Sequence, residues 1–268
     1  MICEPNVHQT TRRIDHTSFT FGSETTSMEI RGERECTDCR ARWSYYETGE
    51  VACPECGSLE SVGREERKLH TDSPAELDLT PIKQRVSEQS LADVTAEITD
   101  RCRSYLRERG FINGGELRPL DETYLIASEL AATVGAYERS LSSEALDPTT
   151  DDAEQLYLFS LLSEERPPPV EVPDSLAPER GLAYAKAVST YRDDLRTLLD
   201  STDEPRPTVR RALGRLDDHL RRVEALDGDV EPRTAERLVE IARDLGGAVR
   251  EHDEIALTRA QERLDSLG

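Results

Sequence analysis

Four cysteines are the residues of this chain whose types and spacing most directly indicate chemistry. In the stretch CTDCRARWSYYETGEVACPEC they form two CxxC pairs, made of Cys36, Cys39, Cys53 and Cys56. Two such turns can complete a tetrahedron of thiolates around Zn²⁺, with Zn–S distances of about 2.3 Å. Because four protein ligands fill the coordination sphere, the sequence predicts a structural zinc ion rather than a catalytic one.

Iron is the alternative metal for the same ligand set. Rubredoxin-like electron carriers also bind iron through two CxxC pairs, and they usually have a glycine after each pair. Here Arg40 follows the first pair and Gly57 follows the second. The sequence therefore favours zinc and leaves an iron electron carrier as the alternative.

The loop between the two pairs is expected to form a β-hairpin. Trp43, Tyr45 and Val51 alternate with other residues, and residues 48–50, Thr-Gly-Glu, provide the turn. After the second pair, apolar residues within 59–69 predict a short third strand. Metal binding of roughly 10–16 kcal/mol would supply most of the folding free energy of so small a unit.

These features carry a family resemblance. The cysteine unit resembles the zinc ribbons of transcription factor B, transcription elongation factor S and the small RNA polymerase subunits, particularly in CPECG. With the phrases RWSYYETG and CPECGSL and an acidic helical remainder, the chain resembles an uncharacterised haloarchaeal family with a transcription factor B-type zinc ribbon. The resemblance implies a bound zinc ion and a transcription-related role.

The chain departs from that pattern in two ways. Arg40 replaces the usual glycine, which predicts backbone strain at the first CxxC turn without threatening metal ligation. Transcription factor B continues into two cyclin-like repeats that contact promoter DNA, whereas residues 73–268 contain no evident repeat and carry 41 acidic against 25 basic residues. Promoter binding is therefore not expected of this chain.

The chain is strongly acidic along its whole length. Asp and Glu number 55 against 34 Lys and Arg, which gives a net charge of -21, and the lysines are only Lys68, Lys83 and Lys186. A dispersed acidic surface with few lysines is typical of proteins from extreme halophiles. At molar salt the Debye length is about 3 Å, so this charge argues only weakly against a nucleic-acid partner.

Targeting signals are not apparent in the sequence. There is no run of 18 or more apolar residues, and the first residues lack an apolar signal-peptide segment. Unpaired thiols in CxxC spacing fit a reducing compartment, so the predicted location is the cytoplasm. Residues 1–27 are interpreted as a disordered leader or as the result of a start codon assigned too early, with Met28 as the true start.

The predicted fold class is a small β zinc ribbon followed by an all-α domain of about seven helices in hairpins or a bundle. The predicted divisions are the leader 1–27, the ribbon 28–72, a helical region 73–164, a proline-rich linker 165–180 and a helical hairpin or bundle 181–268.

Helix signals in the second part are regular. Thr80 and Pro81 can start one long helix that ends at Gly110 in the left-handed conformation, with Phe111 folding back on Leu106. Apolar spacing predicts six further helices, near residues 121–141, 156–162, 182–198, 213–226, 232–245 and 253–267. The fourth and fifth helices of the seven are expected to form an antiparallel hairpin.

Two sets of residues are candidates for contact with a partner. Trp43, Tyr45 and Tyr46 can stack on bases or on a protein, although Trp43 can instead cover the metal site. The arginine-rich fifth helix offers a second set that can meet phosphate or an acidic partner. Acidic residues are interleaved with these arginines, which favours pairing within the helix. The arginines of this second set are Arg211, Arg215 and Arg222.

No nucleotide-binding, hydrolase or metalloprotease motif occurs in the chain. Cys102 lies on an apolar helical stripe and is interpreted as a buried small residue rather than a reactive thiol. The sequence therefore predicts a non-enzymatic zinc-binding adaptor that docks on nucleic acid or a protein assembly, with no evident small-molecule substrate. A helical-domain enzyme without a recognisable motif is the remaining alternative.

Overall fold

The computed structural model describes residues 28–141, 148–202 and 204–267. The predicted leader, residues 1–27, lies outside the described residues. Within these, small antiparallel sheets near the N-terminus are followed by helices, so the predicted order of β and α structure is confirmed. Among the described helices, none combines the length and apolar composition that a membrane crossing requires.

The strands form three small antiparallel sheets. Strand β2 is the centre of a three-stranded sheet between β3 and β4, β1 pairs with β5, and β6 and β7 form a hairpin. The strand predicted after the second cysteine pair is confirmed as β4. The strands are β1 Met28–Ile30, β2 Glu33–Cys36, β3 Arg42–Ser44, β4 Ser61–Gly63, β5 Lys68–His70, β6 Ile112–Asn113 and β7 Glu116–Leu117.

The hairpin predicted between the cysteine pairs is wrong. Strand β3 pairs instead with β2, which ends at the first cysteine of the first pair, and Trp43 lies opposite Arg34. The residues after β3 form a one-turn helix, α1 (Tyr45–Thr48), that ends at Gly49 with φ 67°. The Thr-Gly pair read as a hairpin turn therefore terminates a helical turn, because glycine adopts the left-handed conformation readily.

Larger helices follow the sheets. They are α2 Thr80–Val86, α3 Thr95–Glu108, α4 Glu122–Leu141, α5 Pro148–Leu162, α6 Ala177–Asp200, α7 Pro207–Ala225, α8 Pro232–Arg250 and α9 Glu254–Ser266. Short 3₁₀ turns occur at Leu91–Val94 and Pro169–Glu171. Helices are thus present at all six positions predicted after the first one.

The single long first helix is wrong, because α2 and α3 are separate. Ser90 and Asp93 form a capping box: the Ser90 hydroxyl accepts from the Asp93 backbone N–H, and the Asp93 carboxylate accepts from the Ser90 backbone N–H at 3.3 Å. The Ser90 hydroxyl also donates to the Asp93 carboxylate at 2.7 Å. Such local bonds offer the backbone an alternative to a continuous helix.

The predicted left-handed glycine cap of this helix is also wrong. Helix α3 is capped by Arg109 in an extended conformation, and Gly110 has no positive φ. A β-carbon at Gly110 would lie 2.4 Å from the carbonyl oxygen of Thr71, so the glycine permits a close chain contact. The Phe111 ring lies 4.7 Å from the ring of Tyr124, measured between centroids.

The helices share one apolar core. A single cluster of buried residues extends from Leu79 to Leu264 and includes residues on both sides of the proline-rich segment. Helix α6 packs against α4, α7 and α8, and its contact with α7 forms the expected hairpin. It begins at Ala177, inside the segment 165–180 that was predicted as linker. The boundaries between domains stay predictions.

A buried ion pair lies inside this core. Arg180 of α6 and Glu129 of α4 are both fully buried, and an Arg180 nitrogen lies 3.5 Å from Glu129 Oε1. The Tyr184 hydroxyl donates to Glu129 at 2.7 Å, and the Tyr157 hydroxyl donates to the other carboxylate oxygen. Arg180 also pairs with Glu236 of α8 at 3.2 Å. The network therefore joins four helices.

We expect Arg180→Met to lower the free energy of unfolding by about 3–5 kcal/mol, because Glu129 would remain buried without its counter-charge. The matched control is Arg222→Met, at an exposed position of α7, which should change stability by less than about 0.5 kcal/mol. Denaturant unfolding measures both. The double variant Arg180→Met/Glu129→Gln should lose less free energy of unfolding than the two single variants lose together. Additive losses would show that the two groups do not interact.

Candidate metal centre

The four predicted metal ligands lie together. Their Sγ atoms are all within 4.8 Å of one another, with 3.6 Å between Cys36 and Cys56 and 3.5 Å between Cys39 and Cys53. A tetrahedron with Zn–S bonds of about 2.3 Å has sulfur atoms about 3.8 Å apart. A disulfide would bring two sulfurs to about 2.05 Å, and all four cysteines are free. This group can therefore hold one metal ion.

The two CxxC turns have the same backbone hydrogen bonds. In each turn, the N–H of the first cysteine donates to the carbonyl of the residue five positions later. The N–H of the residue four positions later donates to the carbonyl of that cysteine. The donor–acceptor pairs are Cys36–Ala41 at 2.9 Å, Arg40–Cys36 at 3.2 Å, Cys53–Ser58 at 2.8 Å and Gly57–Cys53 at 2.9 Å. The ligands are therefore presented by two copies of one local structure.

The residue after each cysteine pair adopts a left-handed conformation. The φ angle is 66° at Arg40 and 73° at Gly57. A glycine adopts this conformation without cost, whereas a residue with a β-carbon is strained in it. The strain predicted at Arg40 is thus confirmed.

Trp43 covers the inner side of the metal centre. It is only 6% exposed and packs in a small cluster with Cys36 and Cys53. Its indole N–H donates to the carbonyl oxygen of Glu50 at 3.0 Å. Both the ring and the indole N–H therefore contact other residues of the ribbon. This agrees with the interpretation that Trp43 covers the metal site.

Without a bound metal ion, the thiols of this group differ in pKa. The pKa of Cys36 is lowered to about 7, first by the backbone N–H of Cys39. At Cys56 the N–H of Ser58 lowers the pKa, but hydrogen bonding with the other thiols and burial outweigh it and raise the pKa to about 12. A bound cation is needed to hold all four groups as thiolates, and its binding releases protons.

Three exposed arginines surround one carboxylate next to the metal centre. Glu35, the residue before Cys36, lies 3.0 Å from Arg42, 3.3 Å from Arg40 and 3.5 Å from Arg64. The arginine side chains are 77% (Arg40), 66% (Arg42) and 53% (Arg64) exposed. Burial raises the pKa of Glu35, but the hydrogen bond from Arg42 and the arginine charges hold it below its usual value. We call Arg40, Arg42 and Arg64 the arginine cluster.

Sequence reasoning missed the arginine cluster. The cluster depends on strand pairing, because Glu35 of β2 lies opposite Arg42 of β3 and Val62 of β4. The available signal was the alternation within β2 and β3, which places Glu35 and Arg42 on the sheet face opposite Trp43.

The two predicted partner-binding tyrosines contact the rest of the chain. Tyr45 and Tyr46 are half-buried, and their rings lie 5.8 Å and 5.0 Å from the ring of His70. The Tyr46 hydroxyl donates to the carbonyl of Ile30 at 3.0 Å, and Asn113 donates to the Tyr46 carbonyl at 3.1 Å. These contacts place α1 against the β6–β7 hairpin.

The predicted arginines of the fifth helix lie elsewhere. Helix α7 packs against α6, α8 and α9, whereas α1 packs against β2 and β3, so the two candidate sets are not brought together. Arg211 and Arg222 are exposed, and Arg215 pairs with Asp265 of α9 at 2.8 Å. Pairing within α7 does occur between Arg221 and Asp217.

A buried carboxylate ties the ribbon to the helices. Asp194 of α6 accepts a hydrogen bond from the Thr71 hydroxyl at 2.7 Å and another from the Phe111 backbone N–H at 2.6 Å. The Ile112 N–H donates to the same hydroxyl oxygen at 3.0 Å, and the Thr71 N–H donates to the Ile112 carbonyl at 2.9 Å. The end of the ribbon is therefore held in a defined position on α6.

His70 is buried at the same junction. Its Nδ1 accepts a hydrogen bond from the Gly114 N–H at 3.3 Å, and its Nε2 is buried with no hydrogen-bond partner among the described residues. Burial lowers the pKa of His70, although the charge of Asp72 opposes this shift. The junction therefore favours the neutral imidazole.

At position 40, we expect Arg40→Gly to be more stable than Arg40→Ala by about 1 kcal/mol, because both remove the contact with Glu35 and only glycine relieves the strain. Gly57→Ala should lower the stability by about 1 kcal/mol through the same backbone strain. The added β-carbon would meet no atom within 4 Å, so a steric clash does not contribute to this loss. Competition with a chelator for the bound metal measures both effects. Equal values for Arg40→Gly and Arg40→Ala would contradict the strain.

His70 should make stability depend on pH. Because its folded pKa is depressed, the unfolded chain takes up a proton that the folded chain resists, so stability is lost as the pH falls below about 6.5. His70→Asn keeps an acceptor and cannot titrate, so the stability difference between wild type and variant should shrink between pH 7.5 and pH 5.5. Urea unfolding with metal present measures this difference. The control His252→Asn, at an exposed histidine, should keep the wild-type slope.

Comparison with known proteins places the chain in one family. Residues 28–264 match the profile of the Family of unknown function (DUF7117). No curated protein and no solved structure matches the chain. The matched region contains the four-cysteine group and all the helices from α2 to α8, with most of α9. Because the match covers far more than half of its length, the chain belongs to the Family of unknown function, DUF7117.

Proposed function

We propose that this protein is a non-enzymatic adaptor in which a structural Zn²⁺ folds the ribbon and the ribbon docks on a nucleic acid. The observation that carries this proposal is the arginine cluster, which presents three exposed guanidinium groups beside the metal ligands. The resemblance to zinc ribbons of the transcription apparatus supports a transcription-related role. Fold-level analogy alone is a weak warrant, so the argument rests on the site.

Zinc is the metal that we assign to the four cysteines. Tetrahedral sets of four thiolates bind zinc or iron, and zinc is the common choice in small structural units. Arg40, which stands where rubredoxin-like proteins usually have a glycine, separates the first turn from their sequence pattern. With four protein ligands the ion has no open position for water or substrate, which supports a structural role.

The arginine cluster suits a phosphate backbone. Guanidinium groups bind phosphate oxygens through paired, charge-assisted hydrogen bonds. Glu35 neutralises only one of the three charges, so these four side chains together carry a charge of +2, whereas the chain as a whole carries a charge of -21. Val62, which lies opposite Glu35, is also exposed and adds an apolar contact on the same sheet.

Crosslinking in the cells that make the protein, followed by purification with and without nuclease, tests this proposal. We expect nucleic acid to be recovered with the wild type and to fall at least about five-fold for Arg42→Gln/Arg64→Gln, because phosphate contacts supply most non-specific affinity. The control Arg211→Gln/Arg222→Gln removes two exposed arginines of α7 and should match the wild type.

Other outcomes of this experiment are equally informative. Partner proteins that remain bound after nuclease treatment and are lost from the arginine-cluster variant would support an adaptor role. The partner would then be a protein assembly rather than a nucleic acid. Equal recovery from both double variants would remove the arginine cluster from the proposal. A chain recovered without any partner would overturn the adaptor role.

The metal itself can be tested by elemental analysis. We expect one zinc per chain, and we expect Cys53→Ser to lose the metal while keeping most of the helical far-UV circular dichroism. The reason is that the small cluster around Trp43 is separate from the main apolar core. Cys102→Ser, at a buried thiol of α3 outside the four-cysteine group, should retain the zinc. A coloured, reducible protein would contradict zinc, and loss of all helix would show that the two parts fold together.

A further inference from the structure

An apolar groove lies on the helical part, formed by helices α3, α4 and α6. Its volume is about 590 Å³, which is within the usual range of about 300–1,000 Å³ for small-molecule sites. Small side chains leave this space open, because four alanines occupy the facing positions of α4 and α6. The apolar lining is Leu106, Ala131, Ala132, Leu182, Ala183 and Ala187.

Hydroxyl groups provide the polar part of the lining. Tyr124, Ser128 and Thr190 line the groove and belong to α4 and α6. Ser128 and Thr190 donate to backbone carbonyls of their own helices, at 2.8 Å and 3.1 Å. Their oxygen atoms keep acceptor capacity, and few polar groups in a mainly apolar lining are typical of a ligand site.

The charged residues at the groove are all cationic. Arg103, Arg107, Arg109 and Lys186 line it, and among the described residues no carboxylate does. Arg109 is paired with Asp72 at 2.9 Å. In the part of the chain that the structure describes, Arg103, Arg107 and Lys186 form no ion pair within 4.0 Å. This is notable because acidic residues outnumber basic ones by 55 to 34 in the whole chain.

The placement of these cations is unfavourable without an anion. Arg103 and Arg107 are separated by one helical turn on α3, where like charges repel. Lys186 lies across the groove on α6 and is one of only three lysines. A negatively charged group between α3 and α6 would relieve this repulsion, while the apolar floor requires that the rest of the ligand be apolar.

We propose that this groove binds a single-chain organic anion. Its apolar body lies against the alanines of α4 and α6, and its anionic head, a carboxylate or a phosphate monoester, contacts Arg103, Arg107 and Lys186. This proposal is independent of the function proposed for the ribbon, because none of the groove residues belongs to the metal centre or to the arginine cluster.

Calorimetric titration of the full metal-loaded chain tests the proposal. The probes are decanoate and decyl phosphate, compared with decanol, which lacks the charge, and inorganic phosphate, which lacks the apolar body. Titrations are performed at the lowest salt concentration that preserves the far-UV circular dichroism. We expect at least one decyl anion to bind at least ten-fold more tightly than both decanol and inorganic phosphate. The stronger of the two anions identifies the head group.

Two variants locate the site. Arg103→Gln/Lys186→Gln changes exposed side chains and should weaken binding of the decyl anion at least ten-fold. Ala132→Leu fills the groove and should weaken the same probe while leaving all rim charges in place. The control Arg211→Gln/Arg222→Gln on α7 should bind as the wild type does.

The proposal is overturned by any of three results. Decanol that binds as tightly as the decyl anions would remove the charge requirement. Inorganic phosphate that binds as tightly as decyl phosphate would leave a simple anion site. Unchanged binding in both groove variants, with their circular dichroism intact, would place the probe elsewhere.

Discussion

The close approach of four cysteine sulfurs is the constraint that governs the N-terminal part of this protein. Their sulfur atoms lie within 4.8 Å of one another, and only a cation at their centre can stabilise all four charges together. Among the described residues, the local apolar cluster consists of Cys36, Trp43 and Cys53 with Ala41 packed against it, which is too small to fold a ribbon alone. In the proposed zinc-bound form, metal ligation also fixes the position of the arginine cluster, because β2 carries both Glu35 and Cys36.

The junction between ribbon and helices holds the two parts in a defined arrangement. Asp194 accepts hydrogen bonds from Thr71 and from the backbone of Phe111, so one carboxylate of α6 fixes two segments that are distant in sequence. The Phe111 ring then packs against Tyr191, 4.8 Å away between centroids, one helical turn before Asp194. A polar anchor and an aromatic contact thus act on the same stretch of α6, while the helical core keeps its own apolar cluster.

Local signals were sufficient for much of this structure. CxxC spacing identified the four-cysteine group, and prolines in the first turn marked helix starts such as Pro81 and Pro232. The first helix was predicted too long because the side-chain bonds between Ser90 and Asp93 outweigh apolar periodicity there. Arg180 was overlooked because dense prolines made its segment resemble a linker. The arginine cluster and the groove depend on non-local pairing, which spacing alone does not reveal.

The two cationic surfaces of this acidic chain differ in a way that separates their ligands. In the arginine cluster the side chains are exposed and share Glu35, so an extended polyanion can contact them without losing much of its hydration. At the groove, Arg107 and Lys186 border an apolar floor, where a bound charge is partly desolvated and its attraction to the cations is stronger. High salt therefore screens contacts at the exposed arginine cluster more than contacts at the groove. The two proposed anion sites also differ in their own carboxylates, because the arginine cluster contains Glu35 whereas the described lining of the groove contains none.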